Sequence, residues 1–352
     1  MSLTETCKEI AASLSSAHQS SSSQIAKCSF EPGTFLDVGI AVICFCTLQI
    51  LGKTRTPFAA KGGGHASNPG LVWDDVYAAL EPYGVNVVGI RVPGVGVACF
   101  TLGGGYSWLS NQYGLTIDTM QSFELAIPND TVLNVTAASD PEFEAHQNYG
   151  IVTRFTLKTF SQSQVWGGII IYSAKVSDLV SQVAANFAAN ITDPKAQIIT
   201  TYNHILGVVS GVLNFIFYDG PSPPGGIFGH PSPLIAYDVE PFIPSIYSHS
   251  TTPSAYPPSR DRGLLLLDIY FAWTSLTSDG IMQQAVRDSA AHLRQLAITE
   301  GQDIADAASY GNYAIFDTLL SNIYGENVPR LQAIKTAVDP TNVMGLAGGF
   351  KF

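Results

Sequence analysis

The chain has 352 residues, of which 46% are apolar and 11% aromatic, enough for two domains with large buried cores. Its 28 acidic residues against 17 basic ones give a formal charge of -11, which argues against nucleic acid and anionic membrane surfaces as partners, since both need concentrated positive charge. Charged residues make up only 13% and Gly and Pro are frequent, a balance that suits a folded, loop-rich α+β enzyme better than a helical bundle or a disordered chain.

The first residues, Met1 to Cys7, hold neither a basic segment nor an apolar one of signal-peptide type, so no secretory signal is read there and localisation stays open. Cys7, Cys28, Cys44, Cys46 and Cys99 lack zinc-ligand spacing, and no metal site is expected. Sequons at Asn129, Asn134 and Asn190 fit an extracellular protein but also arise by chance. The apolar run from Leu36 to Leu51 is shorter than the roughly 20 residues that span a bilayer. It contains Asp37 and Gln49 and reads as buried or anomalous, not as a membrane segment. Next comes Thr56-Pro-Phe-Ala-Ala-Lys-Gly-Gly-Gly-His-Ala-Ser-Asn-Pro-Gly70, which sets His65 after three glycines. Successive amides in such a run make a concavity suited to a pyrophosphate, although the run taken alone reads better as a Gly-rich turn with a surface histidine.

From Leu71 to Tyr83, Val72, Val76, Ala79, Leu80 and Tyr83 recur at a helical period, and Asp74 and Asp75 stand at the start, where the macrodipole favours them. A helix is predicted there. Val85 to Val97 is β-branched and Gly-punctuated, reading as strand and turn, and Gly103-Gly104-Gly105 opens the next turn. Phe123 to Val135 reads as a hairpin around Pro128-Asn129-Asp130. After Phe160 the pattern changes. Val165 to Tyr172 and Gln197 to Asn203 are predicted strands around a helix with Val176, Leu179, Val180, Val183 and Phe187 on one face. The Pro/Gly-rich stretch Gly220 to Arg262 is too long for a mere connection and is expected to border a substrate cleft. Leu264 to Trp273 and a helix over Met282 to Ile298 complete this unit.

Four separated motifs then agree with the His65 loop. They are Val92-Pro-Gly-Val-Gly-Val running to Gly103-Gly-Gly105 and on to Gly114, Asn148-Tyr-Gly-Ile-Val-Thr153, Tyr310-Gly-Asn-Tyr313 and Asp339-Pro-Thr-Asn-Val-Met344. In this order, from about Cys7 to Phe352, the chain resembles the berberine bridge enzyme-like FAD-linked oxidases of the vanillyl-alcohol oxidase superfamily, most closely the fungal members. Any one glycine cluster would be weak evidence; their shared order carries the resemblance. It implies an α+β fold with a two-subdomain PCMH-type FAD domain over 1–160, an antiparallel-sheet α+β substrate domain over 161–300, and a segment 301–352 that returns to the FAD domain. It also implies a monomeric oxidase that moves hydride from an alcohol, sugar or secondary metabolite to covalently bound FAD, with O2 as acceptor.

Residue by residue, the resemblance implies that His65 bonds covalently to the flavin while Lys61, Gly62, Gly63 and Gly64 hold the pyrophosphate. Gly96, Val97, Gly103, Gly104 and Gly105 give a second close backbone approach, and Gly150, Ile151 and Val152 lie on the adenine side. Asn312 and Tyr313 border the flavin, and Tyr310 takes the substrate hydroxyl proton. Taken singly, each of these residues also reads as ordinary turn and core packing. A free tyrosine has a pKa near 10, so base action needs a neighbouring charge or the flavin, and Asp268 is the candidate helper. Relatives with a second covalent link carry a cysteine where Val92 stands, so the expected attachment is through His65 alone. Cys99 and Ile90 occupy positions where a glycine is expected; Cys99 is read as a buried thiol. For secreted relatives the resemblance implies a Cys7–Cys28 disulfide, against two free thiols.

The resemblance also breaks. Strands normally placed between Gly70 and Leu71 are missing, Glu142 to Asn148 is shortened, Ser16 to Ser21 lacks a stretch, and Ile40 to Thr47 looks added. Such abrupt joins suggest skipped exons or a retained intron. The FAD domain is therefore expected to be incomplete, and the alternative function is a catalytically impaired or vestigial family member.

Overall fold

A computed structural model of the chain describes residues 17–18, 31–32, 53–55, 71–128, 131–136, 139, 149–205, 209–225, 238–249, 254–257, 260, 264, 266–269, 271, 279–347 and 350–352. The loop Lys61 to His65, the apolar run 36–51 and the cysteines Cys7, Cys28, Cys44 and Cys46 lie outside the described residues.

Two short strands, β1 (Ala17–His18) and β2 (Glu31–Pro32), pair antiparallel. The helix predicted over Leu71 to Tyr83 is α1 (Trp73–Leu80), continued by a 3-10 turn over Glu81–Tyr83 that Gly84 closes at φ +63. Its N-terminal Trp73 is fully buried and meets Phe100 edge-on with ring centroids 5.5 Å apart. Of the strand expected over Val85 to Val97, the first two residues form β3 (Val85–Asn86), which joins β7 (Phe160–Ser161), and Gly96 makes a single antiparallel bridge to Val72. Pro93 has no amide to donate and Gly94 takes φ +76, so the remainder turns back over α1, with the Gly94 amide donating to Asp74 Oδ2 at 2.8 Å.

Val97, assigned above to a turn, starts a second helix, α2 (Val97–Leu102), which ends at Gly103. Six non-Gly residues between glycines suffice for this short helix, and Val97, Phe100 and Thr101 bury its inner face beside Trp73. Cys99 falls on the outer face and is exposed, which corrects its reading as a buried thiol. A further short helix, α3 (Ser110–Tyr113), follows.

The expected hairpin is present as β4 (Met120–Ile127) and β5 (Thr131–Val135), with Phe123 opposite Val135 and Leu125 opposite Leu133. β6 (Ile151–Leu157) pairs on the other side of β4. Phe123, Leu125, Ile127 and Val135 bury against Tyr149 and against Leu331 and Ile334 of a C-terminal helix over Val328–Val338.

The second sheet has five antiparallel strands: β8 (Trp166–Ser173), β9 (Ala196–Ile205), β10 (Val209–Tyr218), β11 (Asp238–Glu240) and β12 (Leu266–Asp268), in the order β12-β11-β9-β10-β8. β10 was not expected, although Val212, Asn214, Ile216 and Tyr218 show the period-2 burial of a strand. Helix α4 (Ser177–Asn190) covers one face through Val180, Ala184 and Phe187, against Ala196, Ile198, Ile216 and Tyr218. Leu179, placed on that face from the sequence, is 51% exposed; the buried stripe runs i, i+4, i+7 from Val180 and leaves it aside. Helices α5 (Asp279–Thr299), α6 (Leu320–Tyr324) and α7 (Val328–Val338) complete the described elements.

The other face of this sheet is stitched to the first part of the chain. Asn111 donates from Nδ2 to Ala196 O at 3.0 Å and to Gln197 Oε1 at 2.6 Å, and its Oδ1 accepts the Ile243 amide at 3.0 Å. Trp108 stacks on Phe217 with centroids 5.5 Å apart. The long segment Gly220 to Arg262 is therefore more than a loop. Among its described residues, Glu240, Phe242, Ile243, Ile246, Tyr247 and Tyr256 are all buried. No described helix is long and apolar enough to cross a membrane, and no group of His, Cys, Asp or Glu among the described residues could hold a metal ion.

Candidate active site

The turn after α2 and the Tyr310 element meet in one aromatic cluster. Helix α2 must stop at Gly103, and Gly104 and Gly105 then take φ +109 and +82, the left-handed region that favours glycine. A Cβ on Gly103 would run into the Asn312 amide, and one on Gly105 would lie 2.6 Å from Thr116 Cβ. This geometry aims the Gly105 amide at the Tyr310 hydroxyl, to which it donates at 3.2 Å. Asn312 Nδ2 donates to the same oxygen at 2.8 Å. Tyr106, Tyr256 and Tyr313 pack their rings on Tyr310 at 4.8, 5.6 and 4.9 Å, and Tyr106 shares a hydrogen bond with Tyr247 at 2.8 Å.

A buried ion pair stands at the rim of this cluster. Arg91 Nη2 donates to Glu240 Oε1 at 2.7 Å, with the two side chains 6% and 4% exposed. The same carboxylate oxygen accepts the Tyr313 hydroxyl at 3.1 Å, and Arg91 Nη2 lies 3.2 Å from that hydroxyl. The Arg91 guanidinium also sits 6.0 Å from the Trp108 ring centroid and 5.7 Å from that of Phe242, within cation–π range. Burial pulls its pKa down, but Glu240, followed by Tyr313, more than offsets this, so the guanidinium stays charged.

Two effects compete at Tyr310. Burial favours the neutral phenol, while the two donors on its oxygen and the Arg91 charge favour the phenolate. Burial wins, and the phenol stands well above its ordinary value. The charge that favours its ionisation is Arg91. Asp268, named above as the helper, bears instead on Tyr313, whose ionisation it opposes. A stability prediction follows from these phenols. Tyr106, Tyr256, Tyr310 and Tyr313 are all raised, chiefly by burial. A raised folded pKa gives a contribution fully present below the unfolded value near 10 and lost as pH rises above it, because the unfolded phenols release protons that the folded ones keep. The urea midpoint should therefore fall steeply above about pH 10, and tyrosinate absorbance should rise as the chain unfolds.

The site residues expected from the sequence divide into groups. Gly103, Gly104, Gly105, Tyr310, Asn312 and Tyr313 come together in this cluster. Gly96 and Val97 stand at the start of α2, with Val97 packed in the Trp73 core. Gly150, Ile151 and Val152 form the start of β6, where Ile151 packs on Val343 and Met344. Lys61, Gly62, Gly63, Gly64 and His65 are outside the described residues. Sequence reasoning missed Arg91, Glu240, Tyr106 and Tyr256. Arg91 carried a signal, as the one charged residue from Val85 to Phe100. Glu240 carried none, being one acid in a long Pro-rich segment.

FAD fits these residues in kind: aromatic rings to bed a flat ring system, glycines in the left-handed region, and a buried cation. Arg91 Nη1 has no hydrogen-bond partner among the described residues.

Residues 309–347 match the family model described as "Berberine and berberine like". The chain is a relative of the berberine-like FAD-linked oxidoreductases. It is 39% identical over 166 residues to an uncharacterized FAD-linked oxidoreductase of Arthroderma benhamiae, covering 46% of this chain and 33% of that protein. To the FAD-dependent monooxygenase drtC of Aspergillus calidoustus it is 32% identical over 194 residues, 53% of this chain and 36% of that protein. The chain thus spans about a third of the length of these curated relatives. Among solved structures, a BBE-like 1 variant from Physcomitrella patens superposes with a TM-score of 0.65 at 14% identity, covering 86% of this chain and 88% of that one. The mixed α/β architecture with antiparallel sheets is that of the PCMH-type FAD-binding oxidases. Its homologues are FAD-dependent oxidoreductases.

Proposed function

We propose that the berberine-like chain is an FAD-dependent oxidase of an alcohol, sugar or secondary metabolite, acting as a monomer with FAD held through His65 alone and O2 as acceptor. One observation carries this reading: the Gly103–Gly105 turn converges with Tyr310, Asn312 and Tyr313, residues inside the segment that matches the family model. FAD, when bound, supplies the two-electron acceptor that no side chain offers. Lys61 to His65 would hold it at one end, and Gly103 to Gly105 with Asn312 and Tyr313 at the other. Tyr310 holds or moves the substrate proton at its phenol oxygen. The Gly105 amide and Asn312 Nδ2 both donate to that oxygen and so favour its phenolate, the form that takes the substrate hydroxyl proton. Arg91 and Glu240 fix the neighbouring Tyr313 hydroxyl.

The test is purification of the full chain, an absorbance scan for flavin, a sizing column for the monomer, and a peroxide assay over a panel of alcohols and sugars. Tyr310→Phe should keep the flavin spectrum and lower turnover by about 10²- to 10⁴-fold, the usual worth of a general acid–base group. Unchanged turnover would remove Tyr310 from the mechanism. A second reading, an impaired family member, is favoured by one contact: Asn312 already fills the close approach that Gly103 opens. A colourless purified protein would decide for it.

A further inference from the structure

The glycine turn beside Tyr310 has no side chains of its own to fix it, so the aim of its amides depends on what its carbonyls hold. Gly105 O accepts the Thr116 amide at 2.9 Å, and Gly104 O accepts the Ile117 amide at 3.0 Å. Both amides belong to a turn that Asp118 closes. Its Oδ2 accepts the Leu115 amide at 3.0 Å, and its own amide donates back to Leu115 O at 3.0 Å. The other carboxylate oxygen, Oδ1, accepts Arg260 Nη1 at 3.0 Å, in an ion pair whose acid is 2% exposed and whose cation is 16% exposed.

Arg260 reaches the same cluster from another segment. Its Nη2 lies 3.4 Å from Tyr256 O, the Tyr256 ring packs on Tyr310 with centroids 5.6 Å apart, and the Tyr256 hydroxyl lies 3.4 Å from that of Tyr106. Gly104 stands between two of these rings: a Cβ there would lie 3.5 Å from Tyr256 and 3.6 Å from Tyr310. One ion pair, closing across 142 positions, thus ties the turn that supplies the Gly105 amide to the ring that walls Tyr310. Arg55 makes a tie of longer range, from Nη1 to Thr341 O at 2.6 Å, but that contact is exposed, whereas the Asp118 pair is buried. The Gly105–Tyr310 bond is 3.2 Å long, at the upper end of the range for an amide donor, so a small rotation of the turn breaks it.

We propose that Asp118 and Arg260 are positioning residues, which act through the Gly105 amide and the Tyr256 ring to hold one register about the Tyr310 hydroxyl. The inference rests on the reading of Tyr310 as the group that takes the substrate proton. A turn that drifts withdraws one of the two donors that favour the phenolate, so the loss falls on turnover and not on KM. The net stability of a buried ion pair is small beside an apolar pair of the same shape, which leaves geometry as its contribution here.

The experiment uses the full chain, enriched in carbon-13 at tyrosine Cζ and purified in excess FAD, with the NMR spectrum, urea midpoint and turnover read on the same samples. The Tyr310 signal is the one missing from Tyr310→Phe. The Tyr172 signal, from the side of the second sheet that α4 covers, serves as reference and is assigned through Tyr172→Phe. Asp118→Asn should displace the Tyr310 signal, leave that of Tyr172 in place, and lower turnover roughly three- to tenfold at unchanged KM, the worth of one hydrogen bond. This variant leaves the Arg260 cation without its partner and lowers the midpoint. Asp118→Asn combined with Arg260→Met has no charge left to desolvate, so its midpoint should recover while the Tyr310 signal stays displaced. An unmoved Tyr310 signal in a folded variant overturns the proposal. So does a signal that returns to its parental position in the double variant, because the pair would then be a stability contact only, and so does a displaced signal with parental turnover in an active enzyme. If the parent is colourless, or if Tyr310→Phe turns over like it, the oxidase reading falls and with it the effect on turnover; the displacement needs no flavin and still decides whether the pair positions Tyr310.

Discussion

Arg91→Ala is expected to lower the unfolding free energy by about 3–5 kcal/mol, because it strands the Glu240 carboxylate in a buried site. The magnitude follows from the geometry. Glu240 Oε1 accepts from both Arg91 and Tyr313, and neither Arg91 nor Glu240 has meaningful access to water. The substitution also removes the guanidinium from between Trp108 and Phe242. Replacing both partners tells a different story: in Arg91→Met with Glu240→Leu no charge remains to be desolvated, and such swaps are often neutral or stabilising. The double variant should therefore recover most of the urea midpoint. A single variant as stable as the parent would mean that water reaches this pair, and a double variant no better than the single would mean that the aromatic packing around Arg91, not its charge, is what matters.

His65→Ala should abolish acid-stable flavin altogether. The resemblance implies one covalent link, and Val92 stands where relatives with two carry a cysteine, so no second attachment remains to hold the cofactor in a denatured pellet. The measurement is the flavin absorbance of acid-precipitated protein beside that of native protein. A parent whose pellet is colourless has no covalent link, and a yellow pellet from the His65→Ala protein would place the link elsewhere in the chain.

The local elements were legible where the pattern was self-contained. α1 follows from the period of Val76, Ala79 and Leu80 with Asp74 and Asp75 ahead of it, and the hairpin β4–β5 from alternation around a turn. α2 was not, since six residues between glycines are too few to show a helical period, and its burial comes from Trp73, which lies on another element. Leu179 was misplaced because a helix of this length has several apolar arcs, and only the sheet beneath it decides which one is buried. In the candidate site, Tyr310, Asn312 and the glycine triplet were named from their motifs. Their partners were not readable: Arg91 and Glu240 are 149 positions apart, and no local period links them. The charge expected beside Tyr310 was assigned to Asp268, an acid on β12, whereas the fold supplies a cation from the turn after β3.

The contact between Arg55 and Thr341 closes across 286 positions. At a ribosomal speed of about 5–20 residues per second, roughly 15–60 s separate the synthesis of the two ends. Throughout that interval Arg55 has emerged without its acceptor, so a pause or truncation before residue 341 yields a chain whose sheets can pair but which lacks this long-range tie.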